Sequence, residues 1–312
     1  MSALICGSFA YDSIMVFPGR FADQILPNQI HVLNVSFLVP ELRREFGGCA
    51  GTIAYNLQRI GGAGAPMGTV GRDFGPYAEW LAMQEVSCGF VKEIPDTYTA
   101  QAYITTDLED NQITAFHPGA MNHAHEQAIP TDAGIAWGMI SPDGRDGMLT
   151  HARQFAEAGI PFVFDPGQGL PMFDGEELKT FVDQASIVTV NDYEGQMLME
   201  RTELTAYEIA ERVDALIITR GGEGSIVLHD GKTVEIPAAK AEEVLDPTGC
   251  GDAFRAGLLH GLMAGADWET TGRLASLMGA IKIASHGTQN HSVDPESLRQ
   301  GFEKNFGYDP GL

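Results

Sequence analysis

One segment near the C-terminus combines two glycines with a carboxylate at the start of an apolar helix. It reads Asp-Pro-Thr-Gly-Cys-Gly-Asp-Ala-Phe over residues 246–254. Gly249 and Gly251 permit a tight backbone and close approach by a ligand. Free N–H groups at a helix start bind phosphate oxygens. A phosphate there would repel Asp252, so this carboxylate either accepts a proton from an attacking hydroxyl group or caps the helix.

Two other motifs place polar groups where strands end. Asn191 and Glu194 are three residues apart, so they share a face if a helix starts there, and they could form a capping box. Thr219 ends an apolar run, and glycines follow at 221, 222 and 224. A strand-end hydroxyl group followed by flexible backbone suits phosphate and base binding, although the same pattern is typical of an ordinary hairpin.

The elements that must position these groups alternate between short apolar runs and helical segments. This alternation predicts an α/β fold with a mostly parallel central sheet covered by helices on both faces. The predicted strands include Leu4–Cys6, Ile135–Ile140, Phe162–Asp165, Ile187–Val190, Leu216–Thr219 and Ser225–Leu228. The predicted helices are Gly48–Ile60, Met148–Ala158, Gly175–Gln184, Tyr193–Met199, Ala206–Val213, Asp252–Ala264 and Trp268–Ala284.

Two β-rich insertions interrupt this pattern. The first lies at about residues 14–46 and contains Ile30–Leu33 and Val35–Val39; the second, at about 97–118, reads as a hairpin of Gln101–Thr106 and Gln112–Phe116. We expect one domain over residues 1–312 in which both insertions form a small β-sheet lid. Open α/β sheets bind ligands at the carboxyl ends of their strands, so such a lid would cover the site.

The composition narrows the class of protein. The 312 residues include 19 Lys and Arg against 42 Asp and Glu, a net charge of −23, which argues against a nucleic-acid partner. No apolar run approaches the length of a membrane span, and the N-terminus does not resemble a signal peptide. The four cysteines match no zinc pattern. We expect a cytoplasmic protein with reduced thiols.

The segment at 246–254 resembles the C-terminal signature of the ribokinase-like, PfkB-type carbohydrate and nucleoside kinases. Three further segments resemble motifs of the same family, in the same order: Phe46–Gly61, Asn191–Glu194 and Thr219–Gly224. Within the family, residues 12–15, 37–51 and 116–121 are similar to bacterial adenosine kinases. The resemblance covers nearly the whole chain and implies a ribokinase-like fold, with ATP as the phosphate donor.

The resemblance assigns roles to the residues that would handle phosphate. It makes Asp252 the catalytic base and places the anion hole at the backbone of Gly249, Cys250 and Gly251. Asn191 and Glu194 would act on Mg²⁺, mainly through water because Mg²⁺ keeps most of its water ligands. The nucleotide-binding residues that it implies are Thr219, Gly221 and Gly224. Asp165 matches a strand-end motif of the family, and a turn is its simpler interpretation.

A second group would bind the acceptor. The resemblance assigns Asp12 to the ribose hydroxyl groups, Gly47 and Gly48 to the backbone beneath the sugar, and Ser8 to the region of the base. Each has a local alternative: a turn after the first strand for Asp12, a helix-entry turn for the glycine pair, and a strand-end hydroxyl group bonded to its own backbone for Ser8. Thr52 stands where the family usually has an Asn that contacts the sugar, and Thr lacks the double hydrogen-bonding function of the amide.

The resemblance also implies a monovalent cation, often K⁺, held at Asp246 and the loop 285–290. Carbonyl and carboxylate oxygens are suitable hard ligands. Phe37 and Phe116 are candidates to stack on a base, and either could instead belong to the core of the lid.

The predicted reaction is the ATP-dependent phosphorylation of the 5′-hydroxyl group of adenosine, in a monomer or homodimer. Two alternatives stay open. One is a sugar kinase of the same fold, of the ribokinase or fructokinase type. The other is a nucleoside-binding protein that has lost catalysis, which the departure at Thr52 favours and the intact segment around Asp252 opposes.

Overall fold

The computed structural model describes residues 2–25, 35–109 and 111–311. Its strands are β1 Ser2–Cys6, β2 Ala10–Val16, β3 Glu41–Gly47, β4 Gly64–Gly71, β5 Phe90–Ile94, β6 Ala100–Thr106, β7 Gln112–His117, β8 Ile135–Ile140, β9 Phe162–Phe164, β10 Ile187–Asn191, β11 Ala215–Thr219, β12 Ser225–His229 and β13 Lys232–Ile236.

The helices are α1 Phe21–Gln24, α2 Cys49–Arg59, α3 Gly75–Met83, α4 Arg145–Ala158, α5 Gly175–Gln184, α6 Asp192–Thr202, α7 Ala206–Ala210, α8 Cys250–Ala264, α9 Trp268–Ile283 and α10 Pro295–Phe306. Short 3₁₀ segments occupy Gly119–Glu126, Gly167–Met172 and Gly221–Glu223. None of the helices in the described ranges combines the length and apolar character needed to cross a bilayer.

The larger sheet runs in the order β13-β12-β11-β10-β9-β8-β1-β4-β5 within the described residues. The pairs from β11 through β5 are parallel, whereas β12 and β13 are antiparallel additions at one edge. The carboxyl ends of β1, β8, β9, β10 and β11 therefore meet along one edge. The predicted mostly parallel sheet is confirmed.

Helices cover both faces of this sheet. Along β1, Ala3 and Ile5 point to one face and pack in a core shared with residues of α2, α8 and α9, while Leu4 and Cys6 point to the other face, where α4 and α5 pack. Each of these four side chains is at most 2% exposed. Burial on both faces explains why the sequence shows continuous apolar runs rather than alternation.

A smaller sheet, in the order β3-β2-β6-β7, lies apart from the larger one in the hydrogen-bonding pattern. The β6–β7 hairpin forms as predicted, and β2 pairs with β3 antiparallel and with β6 parallel. Asp12 is directly opposite Glu45 on one side and Ala102 on the other. The side chains of these three residues therefore lie on one face of the small sheet.

The first insertion differs from the sequence prediction. The predicted Ile30–Leu33 strand lies outside the described residues. Val35–Val39 forms no strand, and β3 begins only at Glu41. Phe37 instead packs its ring against Phe17 and Phe21, with centroids 4.9 Å apart in each case. Side-chain packing of an aromatic cluster has prevailed over β propensity at this position.

Several other elements also differ from the sequence prediction. The predicted helix over 206–213 ends at Ala210, and the analysis did not predict β4, β5, β13, α3 or α10. The strand β4 has the sequence GAPMGTVG, which reads as a loop because of its glycines and proline, yet its last six residues are buried. It forms because it pairs with β1 and β5 in the interior of the sheet.

Candidate active site

The glycine segment forms the N-terminus of α8. Gly249 is the residue before the helix and adopts a left-handed φ of +80°, which glycine tolerates best. The N–H group of Cys250 donates to the carbonyl of Pro247 (3.1 Å), and that of Ala253 donates to Gly249 (3.0 Å). Among the described residues, the amides of Gly251 and Asp252 have no main-chain acceptor. Those two N–H groups could bind an anion.

Asp252 lies at the third position of α8 and does not act as its cap, because Gly249 occupies the cap and no side chain bonds there. The capping alternative for Asp252 is therefore excluded. Burial raises the pKa of its carboxyl group to about 7, with a further rise from the charge of Asp165. Arg255 and a hydrogen bond from the Cys49 thiol oppose this rise. A carboxyl group of this pKa is suited to proton transfer near neutral pH.

A buried ion pair lies beside Asp252. Arg255 donates through Nε to Oδ2 of Asp165 (3.0 Å) and through Nη2 to Oδ1 (2.9 Å). Both side chains are less than one-tenth exposed. Sequence reasoning missed Arg255 and left Asp165 as a turn residue. The available signal was a cation inside the apolar run Ala-Phe-Arg-Ala-Gly, since a buried charge needs a partner.

The predicted capping box at the start of α6 is present. The amide of Glu194 donates to Oδ1 of Asn191 (2.7 Å), and the amide of Asn191 donates to Oε2 of Glu194 (2.8 Å). Burial raises the pKa of Glu194, and Asp165 and Arg255 also act on it. Glu194 therefore lies within electrostatic reach of the Asp165–Arg255 pair, so the motif at 191–194 and the segment at 246–254 belong to one region.

Thr219 lies directly beside Asn191 across the β10–β11 pair. Its hydroxyl group donates to the carbonyl of Val190 at 3.4 Å. Gly221 and Gly224 both have positive φ, +54° and +87°, in the 3₁₀ turn that connects β11 to β12. The hairpin interpretation of this segment is confirmed, and the position of Thr219 places the turn at the same sheet edge as Asn191.

Asp12 lies within β2 rather than in a turn. A Cβ atom on Gly47 would lie only 2.5 Å from Oδ2 of Asp12, so a side chain at this position would displace the carboxyl group. Burial, and then the charge of Glu45, raises the pKa of Asp12 to about 6. The charge of Asp12 in turn contributes to the raised pKa of Asp252, so the two carboxyl groups lie within electrostatic reach of each other.

Gly48 and Ser8 shape the start of α2. Gly48 has a φ of +85°, and a Cβ atom there would lie 2.6 Å from the backbone of Phe9 and Ala10. The helix-entry role of the glycine pair is thus confirmed. The hydroxyl group of Ser8 accepts the amide of Cys49 at 3.3 Å, so it bonds to the first turn of α2 rather than to its own strand end.

Among the predicted site residues, Thr52 lies in α2 and inside the protein. It is completely buried. Its hydroxyl group donates to the hydroxyl group of Thr288 (3.3 Å) and accepts from the side-chain amide of Gln289 (3.4 Å). Gln289 continues this network to Tyr77, whose hydroxyl group donates to the carbonyl of Gly47 (2.9 Å). Thr52 is therefore connected through Gln289 and Tyr77 to the turn at Gly47 and Gly48, and it supports that turn.

The two candidate aromatic residues differ in position. Phe37 belongs to the cluster with Phe17 and Phe21, so the core interpretation holds for it. Phe116 is 53% exposed and pairs with Ala102, which pairs with Asp12. Phe116 thus lies on the same face of the small sheet as Asp12.

Comparison with known proteins agrees with the fold. A model of the pfkB family of carbohydrate kinases matches residues 9–295. The nucleoside kinase of Methanothermobacter thermautotrophicus is 30% identical over 284 residues, which cover 89% of this chain and 91% of that protein.

Solved structures show the same relationship. A structure of the Burkholderia thailandensis nucleoside kinase in complex with inosine is 51% identical, has a TM-score of 0.89, and covers 98% of this chain and 99% of its own. The Methanocaldococcus jannaschii nucleoside kinase, described as an archaeal member of the ribokinase family, is 28% identical with a TM-score of 0.89, covering 97% and 98%.

The fold, the glycine-rich helix start and these relatives define a phosphotransferase that acts on a hydroxyl group. More particularly, the chain belongs to the pfkB family of carbohydrate kinases.

Proposed function

We propose that this chain transfers the γ-phosphate of ATP to the 5′-hydroxyl group of a purine nucleoside, with Asp252 as the general base. The observation that carries this proposal is the position of Asp252 in the first turn of α8, beside amides without a main-chain acceptor among the described residues and within electrostatic reach of a second carboxyl group, Asp12. That second carboxyl group can accept two hydrogen bonds from a ribose diol. The 51% identity to a nucleoside kinase solved with inosine supports the acceptor class.

In the proposed reaction the 5′-oxygen attacks the γ-phosphorus in line. Its proton passes to the carboxylate of Asp252, and the bond between the γ-phosphorus and the β,γ-bridging oxygen breaks to release ADP. The amides of Gly251 and Asp252 would stabilise charge on the transferred group because they lie in the first turn of α8 without a main-chain acceptor among the described residues. Gly249 and Cys250 shape this turn and present those amides.

The residues at the N-terminus of α6 fit a hydrated magnesium ion. One carboxylate oxygen of Glu194 accepts the amide of Asn191, and the carboxyl group lies within electrostatic reach of the Asp165–Arg255 pair. Mg²⁺ binds few protein ligands directly, so one carboxylate acting through water is sufficient. When bound with ATP, the ion supplies positive charge to the phosphates. Thr219, Gly221 and Gly224 would lie along the nucleotide, at the carboxyl end of β11.

The small sheet would bind the nucleoside. Asp12 would hold the ribose over Gly47 and Gly48, Ser8 would lie near the base, and exposed Phe116 offers a ring for stacking. Thr52 would act indirectly, through the hydrogen bonds beneath the glycine turn. The lid formed by this sheet would exclude water, which otherwise hydrolyses ATP.

A panel of acceptors tests the proposal. Adenosine is the acceptor that the sequence predicts, and inosine, which carries an oxo group in place of the amino group of adenosine, is the ligand of the Burkholderia relative. We expect ADP formation with Mg²⁺/ATP and one or both nucleosides, and little with ribose or fructose. Rapid turnover of ribose or fructose without turnover of either nucleoside would replace this proposal with the sugar kinase alternative. Calorimetric nucleoside binding without ADP formation would favour a binding protein.

A further inference from the structure

The side chain of Lys282 is fully buried in the last turn of α9, beside the loop that leads into the candidate active site. Its ammonium group donates to the main-chain oxygens of Asp246 (2.7 Å) and Ser285 (3.0 Å). Burial lowers the pKa of Lys282, and the negative charge of Asp246 opposes that change. Desolvation of a buried cation that is held chiefly by carbonyl oxygens costs free energy, so the presence of this lysine indicates a specific role.

The acceptor Asp246 connects this cation to the anion-binding turn. Its carboxylate accepts the amides of Thr248 (2.9 Å) and Gly287 (2.9 Å). Thr248 is the residue before Gly249, and a Cβ atom on Gly249 would lie 3.0 Å from the side chain of Thr288. The ammonium group, Asp246 and the loop at 285–288 therefore form one hydrogen-bonded support directly under the N-terminus of α8.

This is the place where the resemblance implies a monovalent cation at Asp246 and the loop 285–290. The donor set does not fit such an ion in addition to Lys282. Two carbonyl oxygens of this region, those of Asp246 and Ser285, are already bonded to the ammonium group. An ammonium group carries the same single charge as K⁺ and satisfies oxygen acceptors through its three N–H donors.

We propose that the ammonium group of Lys282 is a built-in replacement for a monovalent metal ion, so that this chain holds its anion-binding turn in place without K⁺. Removal of the side chain would leave carbonyl oxygens around an empty space next to the Asp246 carboxylate. That space has the ligand chemistry of a K⁺ site. The substitution Lys282→Ala should therefore convert a protein indifferent to K⁺ into one that responds to it.

Thermal unfolding tests this without reference to catalysis. Wild type and Lys282→Ala are melted in KCl and in tetramethylammonium chloride at equal ionic strength, because tetramethylammonium is too large to enter the space. We expect the wild-type Tm to be the same in both salts, and the Lys282→Ala Tm to be lower in tetramethylammonium chloride and partly restored in KCl. Lys304→Ala, which removes an exposed lysine from the last turn of α10, is the matched control and should show neither effect.

Specific stabilisation of the wild type by K⁺ would overturn the inference, and so would a folded Lys282→Ala variant with equal Tm in both salts. If Lys282→Ala does not fold in either salt, the wild-type comparison decides the question: equal Tm in the two salts supports the inference, and a higher Tm in KCl overturns it.

Kinetics give a second measurement that rests on the proposed function. We expect wild-type kcat to be equal in the two salts, and Lys282→Ala to lose about tenfold or more in tetramethylammonium chloride, since a buried hydrogen bond to a charged group is removed. KCl should recover a large part of that loss. Absence of turnover in every protein, wild type included, would refute the proposed function while the melting experiment still tests the role of Lys282.

Discussion

The strands of the larger sheet that lead to Asp165 and Asn191 are buried, whereas the small sheet, whose strand β2 carries Asp12, is more exposed, although β2 itself has only one exposed residue. All of β9 and four of the five residues of β10 are buried. In contrast, every residue of β7 and the first four of β3 are exposed. Groups on buried strands keep their positions before substrate arrives, which is what electrostatic stabilisation of a transition state needs.

The ion pairs of the two regions also differ in burial. Arg255 holds Asp165 with two hydrogen bonds in the interior, whereas Arg44 on the small sheet approaches Asp73 only at 4.0 Å and is half exposed. Elements with few buried contacts open at lower free energy than the core. The comparison supports a division in which a rigid half would handle the phosphate and a more adaptable half would recognise and cover the nucleoside.

The largest effect should come from the rigid half. Asp252→Asn removes the proton acceptor but keeps the size of the side chain, so we expect kcat to fall by about 10²–10⁴-fold. Nucleoside binding, measured by calorimetry, should stay close to that of the wild type. Asp146→Asn, an exposed carboxyl group in the first turn of α4, is the control and should leave kcat unchanged. A near-normal rate for Asp252→Asn would show that another group takes the proton.

Loss of the buried ion pair should destabilise the same half. Arg255→Met leaves Asp165 buried without its partner, and we expect the free energy of unfolding to fall by about 3–5 kcal/mol. Urea denaturation measures this change, and Arg153→Met on the exposed face of α4 serves as the comparison. A loss below about 1 kcal/mol, as for a surface pair, would contradict the distinction between the two halves.

A change in the small sheet should affect binding more than turnover. Asp12→Ala removes the proposed acceptor of the ribose hydroxyl groups, so KM for the nucleoside should rise by about tenfold or more. Ser13→Ala, the next residue of β2 on the opposite face of the sheet, should keep the wild-type KM. An unchanged KM in Asp12→Ala would remove this residue from the acceptor site.

The smallest expected effect is on the pH dependence of thermal stability. The pKa of Asp252 is raised from the ordinary value of 3.8 to about 7. Between these two pH values the folded protein therefore keeps a proton on this carboxyl group that the unfolded chain has lost. The contribution of this group to stability is therefore fully present below pH 3.8 and is lost as the pH rises to about 7. Asp252→Asn should show a shallower decrease of Tm over that interval; an identical pH dependence would mean that the carboxyl group is not perturbed.

The sequence predicts the strands that lead to the candidate phosphate-transfer groups, whereas in the small sheet it predicts only the β6–β7 hairpin. Apolar strands and the glycine-rich start of a helix are local patterns, so they could be predicted, although α8 begins at Cys250, two residues before the predicted start at Asp252. Arg255 and Lys282 were missed because their importance depends on burial and on partners 90 and 36 residues away in the chain. Thr52 was placed at the sugar on the resemblance alone, and its buried bonds to Thr288 and Gln289 involve the opposite end of the sequence.

The pH dependence of kcat/KM, measured with saturating Mg²⁺/ATP and limiting nucleoside, tests the role of Asp252 most directly. Because only the ionised carboxylate can accept the proton of the 5′-hydroxyl group, activity should rise with pH along a limb centred near 7, and this limb should be missing from the residual activity of Asp252→Asn. The same limb persisting in Asp252→Asn, or a wild-type profile that stays flat through neutrality, would contradict the assignment of Asp252 as the base.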